Sequence, residues 1–496
     1  MKKVFFTIAA VAASAVGYAG GIATNTNQHA AYQRNFAREA STEADAAYSN
    51  PAGLGFMEDG FYISFSAQTA FQERNIESSY PGFGKEPKKF EGKAVAPFVP
   101  SLQAVYKKKD WALSLNVAVS GGGGKATYDN GLPSFESQVS NIPLKLSAAA
   151  AQSPAMSMVA ADKYSVECSM EGAQYIVGTT LGFSYKFTDF FSASAGARVS
   201  YALNRYEGYI RDIKINPQAA GGQMVAAPAF FSQMAETLNG QAAQAEAAAK
   251  QYKDAGDETM SATYAAAAAQ ARGAAAEMEN SAKAAGDKEV ECKQTGVGVA
   301  PILGVDFKFW RLNVASRYEF ATKIELENET EVDGTGMFPD GKKSRSDVPA
   351  LWALGVNYNF VDNWTLCLGY RYYFDKDAEL SNGAQDRIDH GTKEYAAAVE
   401  WNICKSFLVS ASYLRTQYSL SDGYLTDLNF NQSNNNFGLG LRYTLNDHLN
   451  FDLAGFFTDY EDRTKKVEDY AGLGIGGSDT YSRSNFAFAL GVNYKF

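Results

Sequence analysis

Four arginines interrupt segments in which large apolar residues alternate with small or polar ones. Side chains of an extended strand point alternately to its two faces, so these arginines share a face with the glycines, alanines and serines. A guanidinium is the preferred partner of a carboxylate, which it can bind through two parallel hydrogen bonds. The four are therefore candidates to bind an acidic group of a ligand: Arg198, Arg317, Arg371 and Arg442.

The same arginines have a second interpretation, as members of internal ion pairs. Glu319 and Glu400 fall on the same face by the same alternation. Arg317 would then pair with groups around Glu319, and Arg371 with Glu400, so that the pairs hold separate segments of the protein together. The sequence leaves both interpretations open.

The four cysteines could form disulfide bonds between separate segments of the chain. Cys168, Cys292, Cys367 and Cys404 allow three pairings. Cys168 and Cys292 end the similar sequences Val-Glu-Cys in two long connections, so we expect one disulfide between them and a second between Cys367 and Cys404. Four free thiols are the alternative. No C-x-x-C motif is present to suggest a zinc or redox site.

Catalytic and cofactor motifs are weak. The three histidines, His29, His390 and His448, lie in segments of different type and are not expected to meet at one metal. Residues 472–477 match G-x-G-x-x-G, but they lack the strand and helix that a dinucleotide site requires. A net charge of −10 gives nucleic acid no electrostatic reason to bind. We expect no enzyme activity, no cofactor and no metal site.

Beyond residue 60 the chain alternates strictly between two kinds of side chain. In the last strand, Phe486, Phe488 and Leu490 alternate with Ala487 and Ala489. A soluble sandwich would carry charged residues on its polar face, whereas this face is small and weakly polar. The pattern fits a transmembrane barrel better than a soluble sandwich, with the apolar face toward lipid and the face of small and polar residues toward a lumen. The aromatic share of 13% fits interfacial aromatic girdles.

The connections between strands alternate between tight turns and long polar segments. Six tight and seven long connections predict an antiparallel transmembrane β-barrel of about 14 strands, an all-β fold with both ends on the periplasmic side. One long connection, residues 228–286, is rich in alanine and is interrupted at Asp254 and Gly256. It predicts a helical hairpin within an extracellular insert of about 216–290. Residues 74–91 and 120–173 are two more of the long polar connections, and both are expected to be loops.

The chain begins with a segment typical of secretion. Residues 1–19 join two lysines, a short apolar run and small residues at the cleavage site, as in a signal peptide. Residues 20–60 do not alternate and precede the barrel, which we assign to 61–496. They end in Asn50, Pro51, Ala52 and Gly53, which favour a compact turn because Pro51 fixes its own φ and restricts Asn50.

This N-terminal motif, placed before such a barrel, resembles the FadL family of outer-membrane transporters for hydrophobic compounds. The resemblance implies that residues 20–60 form a plug, or hatch, inside the lumen. It also implies passive uptake of long-chain fatty acids or other hydrophobic small molecules across the bacterial outer membrane, with the four arginines as candidates to meet the head group. We expect a monomer whose partners are its ligand and outer-membrane lipid. A general porin and a surface adhesin are the alternatives.

Overall fold

The computed structural model describes residues 21–24, 27–152, 154–470 and 474–496. The predicted signal peptide, 1–19, lies outside these residues, as does part of the 472–477 motif.

Strands account for most of the described chain. Fourteen of those strands form a closed antiparallel barrel, as predicted. The strands are β1 (Gly60–Ser78), β2 (Lys88–Lys108), β3 (Trp111–Tyr128), β4 (Tyr164–Thr188), β5 (Phe191–Ile215), β6 (Val225–Ala226), β7 (Lys288–Phe309), β8 (Leu312–Glu319), β9 (Glu325–Asp333), β10 (Lys343–Arg345), β11 (Leu351–Val361), β12 (Trp364–Tyr373), β13 (Ile388–Cys404), β14 (Phe407–Leu420), β15 (Asn434–Thr444), β16 (Leu449–Tyr460), β17 (Arg463–Val467) and β18 (Gly477–Lys495).

Each long strand pairs with its neighbours in the chain, and β1 pairs with both β2 and β18 to close the ring. The short strands extend this wall at its outer end. β6 pairs with β5, β9 continues the line of β8 along β7, β10 pairs with β9, and β17 pairs with β18. Closure leaves the barrel without a free edge, which is what hydrocarbon surroundings require of a sheet.

The alternation in the sequence corresponds to the two faces of the wall. Apolar side chains face outward, and Leu181 and Leu490 are about three-fifths exposed at 63% and 59%. Their neighbours Thr180 and Ala489 are buried toward the lumen. At the turn end the outer face becomes aromatic: the ring of Phe190 stacks on that of Phe309. This is the distribution expected of a lipid-facing wall with an interfacial girdle.

The strands run further outward than the sequence analysis expected. Residues 74–91 were expected to be a loop, yet β1 continues to Ser78 and β2 begins at Lys88. In this outer part the pattern is inverted, with Glu73 and Glu77 exposed and Ile76 fully buried. Beyond the membrane the outer face meets water, so charged residues point out and apolar ones point in. The rule used for the membrane part therefore missed these extensions.

Five α-helices complete the described structure: α1 (Ala30–Arg34), α2 (Ala46–Ser49), α3 (Pro133–Gln152), α4 (Ala227–Asp254) and α5 (Glu258–Ala284). The hairpin α4–α5 buries alanines at intervals of seven residues, namely Ala235, Ala242 and Ala249 against Ala268 and Ala275. The long connection 120–173 is partly regular: it contains α3, which the sequence did not predict and which holds Pro143 inside the helix. None of the described helices is long and apolar enough to cross a membrane.

Candidate functional site

The described residues between Gly21 and Asp59, here called the plug, lie inside the barrel. Its residues are almost all buried, and α1 packs against the inner faces of β15, β16 and β18. The wall admits it because the inward residues are small. A Cβ placed at Gly440 would collide with the Cβ of Arg34, and one at Gly438 would lie 2.7 Å from the carbonyl oxygen of Gln33. The face of small residues predicted from the sequence is thus the surface on which the plug packs.

The plug motif fixes the plug to the wall and to itself. Asn50 accepts a hydrogen bond from the backbone N–H of Ala52 at 3.2 Å. Its Nδ2 donates to the carbonyl oxygens of Val305 and Ser316, at 3.1 and 3.3 Å, on β7 and β8. Gly53 faces the carbonyl oxygen of Ser41 so closely that no side chain fits there. The motif therefore joins the two halves of the plug and ties them to two strands.

An ion cluster lies below α1 and contains one predicted arginine, Arg442. Arg442 contacts Glu43 of the plug at 2.6 Å and Asp452 of β16 at 2.8 Å. Arg34 of the plug contacts the same Asp452 at 3.0 Å and also pairs with Glu400. Burial would raise the pKa of the Glu43 carboxyl, but Arg442, Arg38 and Arg34 outweigh it and hold that pKa well below its usual value. These pairs join plug and wall electrostatically.

The other three predicted arginines line one cavity between plug and wall, of about 550 Å³ counted with its opening to solvent. Arg198 contacts Glu319 at 2.7 Å, and Arg317 lies 3.7 Å from the same carboxylate. Arg317 also donates to the carbonyl oxygen of Tyr48 at 2.6 Å. Each charge in this part of the cavity therefore has an internal partner.

Arg371 reaches the plug from β12. It pairs with Glu39 of the plug and with Glu394 of β13, the latter at 3.0 Å. The expected pair of Arg371 with Glu400 is wrong, because Glu400 pairs with Arg34. The sequence could not show this, since the plug that carries Glu39 and Arg34 does not alternate and so gives no register against the wall. The structure brings Arg198, Arg317 and Arg371 together and places Arg442 apart from them.

Above the plug the outer part of the barrel encloses an apolar cluster, here called the outer chamber. Inward side chains of seven strands and of the outer loops form it, and the sequence analysis missed it. The rings of Tyr206 and Phe338 stack there with centroids 5.0 Å apart. Its main members are Ile76, Phe90, Tyr128, Leu132, Met170, Tyr206, Val290, Phe338, Leu425, Phe430 and Tyr481.

A cleft of about 380 Å³, counted with its opening to solvent, enters the outer chamber between α3 and β7. Phe135, Met170, Ile210, Val290 and Phe338 line it. Ligand pockets commonly have mainly apolar walls, as this cleft does. The character of the cleft therefore suits an apolar group. The signal that would have found it is the inverted alternation of the outer strand ends.

The hydrogen-bond ladder between β2 and β3 has a long break. Pairing stops at Ala94 with Ala126 and resumes at Ser101 with Ala118. β2 carries Pro97 and Pro100 in this stretch, which have no N–H to donate. On β3, Gly122 and Gly124 have φ of 82° and 70°, a conformation that disfavours other residues. We call this break the β2–β3 gap.

The plug reaches the β2–β3 gap. Thr24 forms an isolated bridge with Gly121 of β3, and a Cβ at Gly121 would collide with the carbonyl oxygen of Ala23. The start of the described plug therefore lies directly against the unpaired stretch of β3.

Both predicted disulfides are absent, and the four cysteines are free thiols. Cys168 pairs with Ile210 of β5, and Cys292 with Tyr206 of the same strand, so β5 separates the two thiols. Cys367 is opposite Ala398, six residues before Cys404 on β13. Disulfides join Cα atoms about 4.4–6.8 Å apart, and neither arrangement allows that.

Solved structures with the same architecture include three outer-membrane barrels. The Pseudomonas aeruginosa FadL homologue has a TM-score of 0.59 and 13% identity, over 96% of this chain and all of that one. The Pseudomonas putida toluene transporter TodX has a TM-score of 0.52 and 14% identity, over 92% of this chain and 95% of that one. The Ralstonia pickettii toluene transporter TbuX has a TM-score of 0.50 and 12% identity, over 92% of this chain and 94% of that one.

No protein-family model matches the sequence, and no curated protein sequence matches it. At such low identity the likeness establishes the fold: a closed, 14-stranded barrel of the FadL type, the architecture of bacterial outer-membrane proteins. Its named neighbours include transporters and a channel.

Proposed function

We propose that this protein is a passive outer-membrane channel for hydrophobic small molecules such as long-chain fatty acids. One observation carries the proposal: the apolar side chains of the outer chamber, which a cleft opens to solvent, lie on the outer side of a polar plug that fills the lumen. An apolar ligand gains about 25 cal/mol per Å² of surface moved from water into such a chamber. The named transporters with the same fold, for toluene, support this class of ligand.

The proposed path continues from the outer chamber to the β2–β3 gap. Thr24 and Gly121 would separate when the plug shifts, and the ligand would leave sideways into lipid through the unpaired stretch of wall. The path needs no energy source, since an apolar molecule is more stable in lipid than in water.

A general porin is the main alternative, and the plug argues against it. A porin needs a continuous water-filled lumen, whereas here buried ion pairs link the plug to wall residues Glu400, Arg371 and Arg442. The adhesin alternative would use the hairpin α4–α5. Nothing in the hairpin's contacts favours a partner over plain exposure to solvent.

Uptake by whole cells tests the proposal. A host lacking its own hydrophobic-compound channels would be given either this chain or its Phe338→Ser variant, together with a radiolabelled long-chain fatty acid. Phe338 lies in the outer chamber but outside the strands, so the barrel should still form. We expect uptake with the unmodified chain and several-fold less with the variant.

Val332→Ser is the matched control. Val332 lies on the outward face of β9, so its change removes apolar surface without touching the outer chamber. It should leave uptake unchanged. Equal uptake with and without the unmodified chain would refute the proposed function.

A further inference from the structure

The cavity between plug and wall, here called the plug–wall cavity, is lined by polar groups whose hydrogen bonds are incomplete. Five buried residues of its lining each have a side-chain atom without a hydrogen-bond partner. These atoms are Nδ2 of Asn27, Oε2 of Glu39, Nη2 of Arg198, Nε of Arg317 and Oε2 of Glu319. A buried polar atom left without a partner is destabilising. A bound molecule that completes these bonds would therefore be held firmly.

The charges around the plug–wall cavity are already neutralised. Arg198 contacts Glu319 at 2.7 Å, and Arg317 lies 3.7 Å from the same carboxylate. Arg371 pairs with Glu39 of the plug. An anion that entered would find each arginine occupied and would be repelled by the two glutamates. The electrostatics therefore favour an uncharged group.

The atoms without partners include both donors and acceptors. The N–H groups of Arg198 and Arg317 can only donate, whereas an ionised Glu319 can only accept. A hydroxyl is the small neutral group that donates and accepts at the same atom. A carboxylate has no hydrogen to donate, so it would leave the glutamate oxygens unsatisfied. The hydrogen-bonding pattern therefore matches a hydroxyl.

Tyr48 of the plug adds a further polar group to the lining. It is partly exposed, although almost all of the plug is buried, because it borders the plug–wall cavity. Arg198 covers its ring, with the guanidinium carbon 5.1 Å from the centroid. Its hydroxyl forms no hydrogen bond within the described part of the chain. This hydroxyl is therefore available to a ligand.

The plug–wall cavity also has an apolar part and reaches the β2–β3 gap. Val348, Pro349 and Leu351 contribute apolar surface to its lining. Thr24, which also lines it, forms the bridge with Gly121 at the gap. A molecule held there would have its polar group among the arginines and glutamates and would lie beside the unpaired stretch of wall.

We propose that the plug–wall cavity binds the hydroxyl of a neutral amphiphile through Tyr48, Arg317 and Glu319. This inference rests on the proposed function and deepens it, because it specifies the class of ligand that this part of the path accepts. The class comprises apolar molecules that carry an uncharged hydroxyl, such as alcohols, phenols and uncharged carboxylic acids. A fatty acid would enter the cavity only in its uncharged form.

Three probes with the same short chain test this inference: hexanol, hexane and hexanesulfonate. Their binding to the full chain in lipid nanodiscs would be measured by calorimetry and corrected for uptake by empty nanodiscs. We expect hexanol to bind about 3- to 10-fold more tightly than hexane, as one neutral hydrogen bond predicts. Hexanesulfonate, which is always charged, should bind no more tightly than hexane.

Two substitutions separate the hydroxyl from the charge. Tyr48→Phe removes only a hydroxyl, so hexanol should bind about 3- to 10-fold more weakly while the affinity for hexane stays the same. Glu319→Gln removes the carboxylate beside Arg198 and Arg317. Hexanesulfonate should then bind about 10- to 100-fold more tightly than to the unmodified chain, as a charged hydrogen bond predicts. A purely structural role of Glu319 would not produce this gain.

Glu461→Gln is the matched control, because Glu461 pairs with Arg415 at 2.5 Å but is half exposed and does not line the plug–wall cavity. It should leave all three affinities unchanged. Heat-modifiable mobility on gels shows whether each variant folds, and Tyr48→Phe remains decisive if Glu319→Gln does not.

Equal affinities of the unmodified chain for hexanol and hexane would overturn the inference and leave the proposed function standing. Unchanged hexanol binding in Tyr48→Phe would overturn it as well, and so would a folded Glu319→Gln that gains no affinity for hexanesulfonate. If hexane does not bind the unmodified chain above the level of empty nanodiscs, the proposed function itself fails.

Discussion

Single residues hold the plug through contacts with more than one segment. Asn50 turns the chain toward Ala52 and at the same time donates to two wall carbonyls. Arg371 links Glu39 of the plug to Glu394 of the wall. The stability of the plug therefore depends on a small number of polar side chains, whereas that of the barrel depends on its closed ladder.

Replacing Asn50 and Pro51 with alanine should loosen the plug without unfolding the barrel. The change removes the Asn50 hydrogen bonds and the fixed φ of Pro51, a loss of about 1–3 kcal/mol for a buried polar contact. Openings should become roughly ten times more frequent or more in single-channel recordings. Retention of the heat-modifiable mobility of a folded barrel on gels is the control. Unchanged opening would show that the motif does not hold the plug.

Protonation of His29 should weaken the docking of the plug against the wall. Its Nδ1 accepts from the N–H of Ala31 at 3.1 Å, while Nε2 lies 2.6 Å from the hydroxyl of Ser64. Burial lowers the pKa of His29, against the opposing effect of Asp45. Protonation of Nδ1 would remove the bond to Ala31. Since the docked pKa is below the usual 6.5, docking should weaken as pH falls from about 6.5 toward the lowered value.

His29→Gln tests this pH effect, because glutamine is polar but does not titrate. Plug openings should increase between pH 7.5 and 5.5 in the unmodified chain and much less in the variant. Glu43 and Asp45 have lowered pKa values and stay charged over this range. Asp375, whose pKa burial raises to about 6, acts in the opposite direction, so Asp375→Asn should strengthen the effect. The same acid response in His29→Gln would refute the assignment.

Among the elements, the wall strands were predictable and their outer ends were not. The alternation of Phe486 and Ala487 required only that one face meet lipid and the other a crowded lumen. Beyond the membrane, Ile76 turns inward and Glu77 outward, and α3 forms despite Pro143. The outer chamber depends on strand ends and loops that meet only after folding. No local sequence pattern showed that Arg74 lies beside Tyr128. None showed that Cys168 and Cys292 lie apart.

The β2–β3 gap predicts that a bulky side chain within it will block transport. Ala96 is half-buried on the inner face of β2 within the unpaired stretch. Ala96→Trp should fill the opening and reduce fatty-acid uptake several-fold. Val95→Trp is the control, since Val95 is 53% exposed on the lipid face of the same stretch. If Ala96→Trp transports as well as the unmodified chain, the ligand does not pass through the gap.

The distal part of the hairpin α4–α5 should be dispensable for folding and transport. There the two helices pack on each other through alanines, whereas at the base Phe230 and Phe231 join an apolar cluster with α3 and β5. Deleting residues 238–275 and joining the ends with a short glycine–serine linker keeps this base and should leave uptake of fatty acid unchanged within error. A large loss of uptake, with the barrel still folded, would give the hairpin a role in ligand capture.

At the scale of the whole molecule, the barrel has two parts that differ in the chemistry of their inner and outer faces. The membrane part is apolar outside and polar inside, and the plug closes it through ion pairs. The outer part is charged outside and apolar inside, and it forms the outer chamber. In the proposed function, this inversion would let the protein accept an apolar ligand from water at one level and block the flow of water and ions at the next. The fold class followed from the sequence because the membrane part dominates its pattern.

Conductance in planar bilayers tests most directly whether the plug closes a lumen that would otherwise be open. The unmodified chain should conduct almost no ions, because the plug fills the barrel. Deletion of residues 20–49 should produce a stable, water-filled pore, while uptake of fatty acid falls because ordered release is lost. A high conductance in the unmodified chain that the deletion leaves unchanged would contradict the account and favour a general porin.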